Sequence, residues 1–143
     1  MTLKHSALLI SSSLLIFMAV LIGGCTTPAE VSNQIIKDVN ARVAFDIIQK
    51  NQDNPNFVII DVRTPEEYAD GHIERAINVD FNSDDFRSKI TQLEKEEAYL
   101  IYCRSGNRSR GALQIMTELD FVEVYHLSAG IIGWLDEGLP TVK

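Results

Sequence analysis

Five short apolar runs alternate with helix-patterned segments along the chain. They predict an α/β domain: a mostly parallel five-stranded sheet covered on both faces by helices, in three layers α/β/α. Two of the runs, 57–60 and 99–102, are continuously apolar, the pattern of strands buried on both faces. The 143 residues, 45% hydrophobic and 23% charged, are enough for one packed domain and exclude wholesale disorder.

Taken in order, Ile35, Ile36 and Val39 predict the first strand. Asn40 is placed to cap a helix to about Lys50, with Val43, Ala44, Ile47 and Ile48 on one face. A turn cluster around Pro55 leads into the second strand. Thr64 caps a short helix with Pro65 at its first position and Glu66 and Glu67 in its first turn. Residues 76–79 predict a third strand, and Ser83 opens an exposed helix reaching about Leu93. The run 99–102 forms the fourth strand and leads straight into Cys103. Ala112, Leu113, Ile115, Met116 and Leu119 recur at helical spacing. Val122, Val124, Tyr125 and Leu127 make the last strand, and 131–137 the last helix around Trp134. There is no internal repeat and no low-complexity stretch.

Lys4 and His5 precede an uncharged run from Ser6 to Gly24 that ends in Leu21-Ile22-Gly23-Gly24-Cys25. A basic start, an apolar stretch and small residues at its end read as an export signal. The close of the run resembles a bacterial lipoprotein signal, in which the cysteine is lipidated and becomes the mature N-terminus. The expectation is a signal peptide over 1–24, a lipid-attached tether over 25–34 with Cys25 acylated, and a catalytic domain over 35–143. Its place would be outside the cytoplasm on a membrane surface, the periplasmic side of the outer membrane where two membranes exist. The alternative is an uncleaved span, which Ser11, Ser12 and Ser13 weaken.

Thirteen Lys and Arg against twenty Asp and Glu give a net charge of -7, which argues against a nucleic-acid partner. Two cysteines, Cys25 and Cys103, allow neither a disulfide framework nor a cysteine-built zinc cage. With Cys25 lipidated, Cys103 is the lone thiol. His72 and His126 have no ligand spacing, so no metal site is expected, and no cofactor is implied.

The informative segment is Cys103-Arg104-Ser105-Gly106-Asn107-Arg108-Ser109, between a buried strand and a helix. Such a turn aims successive backbone N–H groups at one point and makes an anion-binding nest. Gly106 permits a backbone conformation that other residues resist. Arg104 and Arg108 add positive charge. The same features favour a thiolate, so Cys103 is expected to be a nucleophile with a lowered pKa.

With the loop go Asp61-Val62-Arg63-Thr64-Pro65-Glu66-Glu67-Tyr68, then Gly71-His72-Ile73, Ala76-Ile77-Asn78, Gly130, Trp134 and Gly138-Leu139-Pro140. On these motifs most of 35–143 resembles the rhodanese family. That resemblance implies a rhodanese-like domain whose active cysteine, Cys103, carries sulfane sulfur as a persulfide. The sulfur would come from a small anionic donor such as thiosulfate and pass to cyanide or another thiophile. Arg104, Ser105, Gly106, Asn107 and Arg108 would form the substrate-binding loop. Glu74 and Arg75 stand where the family has proline and glycine, and Ala129 replaces a glycine, which leaves the turn geometry open.

Thiolate phosphatases, the nearest rival together with arsenate reductases, place five residues between cysteine and arginine. Here four separate Cys103 from Arg108, which suits a terminal sulfur better than a phosphate. Asp61 and Arg63 end a neighbouring strand, either bracing the loop or forming a structural ion pair. The expected activity is sulfur transfer through Cys103. The alternative is a persulfide relay or binding module whose acceptor is a partner protein.

Overall fold

The computed structural model describes residues 34–143. The signal segment, Cys25 and all but the last residue of the expected tether lie outside the described residues. Gln34, at the tether's end, donates from its side-chain amide to the carbonyls of Thr117 and Phe121, so it is tied to the domain.

The elements run β1 (Ile35–Val39), α1 (Ala41–Lys50), β2 (Phe57–Asp61), α2 (Pro65–Asp70) and β3 (Ile77–Asn78). There follow α3 (Phe86–Thr91), β4 (Ala98–Tyr102), α4 (Asn107–Glu118), β5 (Glu123–Leu127) and α5 (Gly130–Asp136). The strands form one sheet in the order β1-β5-β4-β2-β3, and every pair is parallel. The predicted architecture is the observed one.

The pleat sorts the core into two halves, since alternate residues of a strand face opposite ways. On β2 and β4, Phe57, Ile59, Leu100 and Tyr102 face α1 and α5, where they meet Ala44, Ile48 and Trp134. Ile60, Tyr99 and Ile101 face α3 and α4, where they meet Phe86, Ile90, Ala112 and Met116. Cys103 follows Ile101 by two and therefore falls on the α4 side. Each fully buried Ile or Leu contributes about 1.5–3 kcal/mol of transfer free energy, so both layers are needed.

Three expectations are corrected in detail. Val43 is 43% exposed, because the inward stripe of α1 is Ala41, Ala44 and Ile48. The third strand shrinks to two residues: the preceding loop is held elsewhere, by reciprocal backbone bonds of 2.9 Å between His72 and Val142. The helix after Ser83 starts only at Phe86 and is not wholly exposed, since Phe86 and Ile90 are buried.

The family departures resolve simply. Arg75 itself takes up a left-handed conformation, φ 67°, and its guanidinium donates to the carbonyl of Gln52 at 2.6 Å. Ala129 has φ -88°, so a side chain there is unstrained.

Asn40 caps α1 as expected, its side-chain oxygen accepting from the N–H of Val43 at 2.9 Å. Asn40→Ala should therefore cost about 1 kcal/mol, read as a lower urea midpoint with an unchanged slope.

Candidate active site

Cys103 stands at the carboxyl end of the central strand β4, where α/β sheets place their ligand sites. It is 1% exposed. The chain turns back through Gly106, whose φ of 95° is left-handed, and a Cβ there would overlap the carbonyl oxygen of Ser128. Only glycine fits. Helix α4 then begins at Asn107.

The start of α5 fixes the outside of the loop. The N–H of Ile131 donates to the Cys103 carbonyl at 2.8 Å, and that of Ile132 to the Arg104 carbonyl at 3.1 Å. Gly130, φ 60°, makes this approach possible, because a Cβ would run into those same carbonyls. With its carbonyls taken up outside, the loop is free to turn amides inward. The N–H of Gly106 lies 3.1 Å from Cys103 Sγ, and the Ser109 hydroxyl 3.4 Å.

Burial pushes the Cys103 thiol up, and hydrogen bonds outweigh it. The Ser109 hydroxyl and the backbone N–H groups of Ser109, Ser105 and Gly106 bring it below the ordinary thiol value. The direction is the expected one, and to the expected backbone N–H groups the structure adds the Ser109 hydroxyl. The Ser109 hydroxyl and the backbone N–H groups are the leading causes of the lowering, and the Arg108 guanidinium also interacts favourably with the thiolate.

Arg108 is turned away to Glu67 of α2 in a two-pronged pair, 2.6 and 2.8 Å, both side chains under one-third exposed. Arg104 and Ser105 are exposed at the rim, and Asn107 is exposed on the first turn of α4. Asp61 and Arg63 form a buried pair of their own at 2.6 Å. Arg63 also donates to the Gly71 carbonyl and lies 5.7 Å over the Tyr102 ring. Among the described residues this pair makes no hydrogen bond to 103–108, so it braces the Gly71 turn, not the loop. A cavity of about 350 Å³, lined among others by Ile73, Arg75 and Trp134, includes no residue of the Cys103 loop.

The rhodanese-like domain family matches residues 44–137. The chain belongs to that family. It is 33% identical over 104 residues to a sulfurtransferase of Allochromatium vinosum, covering 73% of this chain and 95% of that protein. It is 36% identical over 104 residues to the tRNA uridine(34) hydroxylase of Yersinia pestis, spanning 64% of this chain but only 29% of that protein. The crystal structure of a rhodanese-related protein from Thermoplasma volcanium superposes with a TM-score of 0.61 at 29% identity. That match covers 74% of this chain and 97% of the other.

Sequence reasoning missed two features of the rhodanese-like site. Glu67 appears only as a helix-start acid, yet it holds Arg108. His126, noted only for lacking ligand spacing, is fully buried and hydrogen-bonded to Ser109. Its signal was a polar side chain between Tyr125 and Leu127 in a core strand, which demands a partner.

The Arg108 guanidinium holds the Glu67 carboxyl at about 2, down from 4.5, with burial opposing it. A lowered carboxylate stabilises the fold above its unfolded value and ceases to do so as pH falls through the folded one. Glu67→Gln retains a capping acceptor but removes the charge, and should cost about 1–2 kcal/mol at neutral pH. The gap between the variant and the parent in urea unfolding should shrink as pH falls from 4.5 toward 2.

Proposed function

We propose that this rhodanese-like domain is a sulfurtransferase that carries sulfane sulfur as a persulfide on Cys103. Thiosulfate or a similar anion donates the sulfur, and cyanide or a thiol accepts it. The observation that carries the reading is the loop itself, which points amide and hydroxyl donors at one sulfur atom and lowers its pKa.

The Cys103 thiolate attacks the outer sulfur of the donor. A sulfur–sulfur bond forms to Cys103, the donor's own sulfur–sulfur bond breaks, and sulfite leaves with the electron pair. The persulfide carries the negative charge, and the amides that stabilised the thiolate face the incoming charge. An acceptor nucleophile then takes the outer sulfur and the Cys103 thiolate returns. Arg104, exposed at the rim, offers the donor a cation, while Arg108 is engaged by Glu67 and keeps the loop's flank in place. A phosphatase loop would place five residues between its cysteine and its arginine, and here four separate Cys103 from Arg108.

For Cys25 we propose the lipid-anchored role that its Gly-Gly-Cys context supports, placing the domain on the outer side of a bacterial membrane. Cys25→Ala should abolish incorporation of labelled palmitate; a parent protein that takes up none overturns the anchor.

Cys103→Ser is nearly isosteric and cannot form a persulfide. Thiosulfate:cyanide turnover should fall to background with an unchanged circular dichroism spectrum. Intact-protein mass spectrometry after thiosulfate treatment should show a gain of about 32 Da, one sulfur, only in the parent. A variant that keeps the parental rate overturns the proposal.

A further inference from the structure

Behind the sulfur nest lies a chain of hydrogen bonds that leads away from the donor side. Asp38 of β1 and His126 of β5 are register partners, and His126 in turn pairs with Ile101 of β4, two residues before Cys103. His126 Nδ1 lies 2.7 Å from Asp38 Oδ1. Its Nε2 lies 2.9 Å from the Ser109 hydroxyl and 3.2 Å from the Gly106 carbonyl oxygen. The Ser109 hydroxyl lies 3.4 Å from Cys103 Sγ and 3.1 Å from the same Gly106 oxygen. His126, Ser109 and Cys103 are all buried. The titratable and charged groups around the imidazole are Asp38 from β1, backed by Arg110 of α4 at 3.1 Å, and Cys103 from the end of β4. Helix α4 adds Ser109.

Counting protons constrains this chain. The Asp38 carboxyl is held below its usual value, first by the His126 hydrogen bond, with burial opposing and Arg110 assisting. It is an acceptor only, so Nδ1 carries a hydrogen. Ser109 has one proton and three acceptors in range: the sulfur, Nε2 and the Gly106 oxygen. If Nε2 is bare, it takes the Ser109 proton, and the hydroxyl turns from donor to acceptor toward the thiol. Its lone pair then also faces the Gly106 oxygen at 3.2 Å. If Nε2 carries a hydrogen, it donates to Ser109 and to Gly106, and the Ser109 proton is free for the sulfur. The second arrangement is the one that stabilises a thiolate.

We propose that Asp38, His126 and Ser109 form a proton relay that withdraws the Cys103 proton and turns the Ser109 hydroxyl toward the resulting thiolate. The sulfur–hydrogen bond breaks as the proton passes to Ser109 Oγ, and the original Ser109 proton passes to His126 Nε2. One proton moves from sulfur to imidazole, no electron is transferred to an outside reagent, and Asp38 holds the imidazolium. His126 acts through Ser109 and touches no donor, so it is a positioning residue. The proposal rests on Cys103 being the nucleophile, and its test reads the thiolate directly, without turnover.

The test is the pH profile of Cys103 alkylation by iodoacetamide, a neutral reagent, in the full-length protein with Cys25 kept occupied or replaced by Ala. His126→Gln and Ser109→Ala should each lower the rate at pH 7 about tenfold and move the profile to higher pH. The double variant should lose no more than either single one, because the two act in series. Profiles like the parent's in both folded variants overturn the relay. If His126→Gln fails to fold, nitrogen-15 NMR of the parent imidazole decides. Linkage is reciprocal, so methylating the Cys103 sulfur should shift the His126 Nε2 signal at pH 7 from the protonated toward the bare form. No shift overturns the proposal. Failure of sulfur transfer with a normal relay signature would instead count against the sulfurtransferase reading alone.

Discussion

The orientation of a few peptide planes governs this site. Two N–H groups at the start of α5 take up the carbonyls of Cys103 and Arg104, and a peptide whose carbonyl is held on one side presents its N–H on the other. The inward Ser105 amide follows from that outward tie, while the Gly106 amide belongs to the next peptide and is set by the left-handed turn at Gly106. Glycines at 106 and 130 are the local condition for both, since a side chain at either would collide with main chain. The last helix, remote in sequence, is thus part of the reactive loop.

The charge that matters is local. A protein of net charge -7 repels small anions at long range, and one of its two loop cations, Arg108, is paired with Glu67. Fixed backbone dipoles, with Arg104 exposed at the rim, supply the local attraction. Such dipoles need no counterion and no side-chain ordering when an anion arrives. The Glu67–Arg108 pair then has a mechanical role: it joins the first turn of α2 to the first turn of α4 across the mouth of the sheet.

Much of the architecture was legible from apolar pattern alone, because β2 and β4 are buried on both faces and carry unbroken apolar runs. The Cys103 loop was legible because its chemistry is contiguous. What escaped is what the sheet brings together across distance. Glu67 meets Arg108 across 41 positions and Asp38 meets His126 across 88, and no local pattern announces either. Val43 was misjudged for a subtler reason. The apolar stripe of α1 is wider than the face it buries, and only the tertiary contact with α5 decides which edge goes inward. Arg75 shows the reverse case: it keeps a left-handed turn that a family glycine would adopt freely.

The near-complete enclosure of Cys103, 1% exposed, has a consequence for recognition. A sulfur–sulfur bond is about 2.05 Å long, so the proposed persulfide would lengthen the side chain by that much. Empty, the domain offers a passing macromolecular thiol almost no sulfur surface to collide with. Loaded as proposed, it would carry its reactive atom one bond length further from the backbone. Under that reading, occupancy would change the reach of the reactive atom with no change of backbone shape.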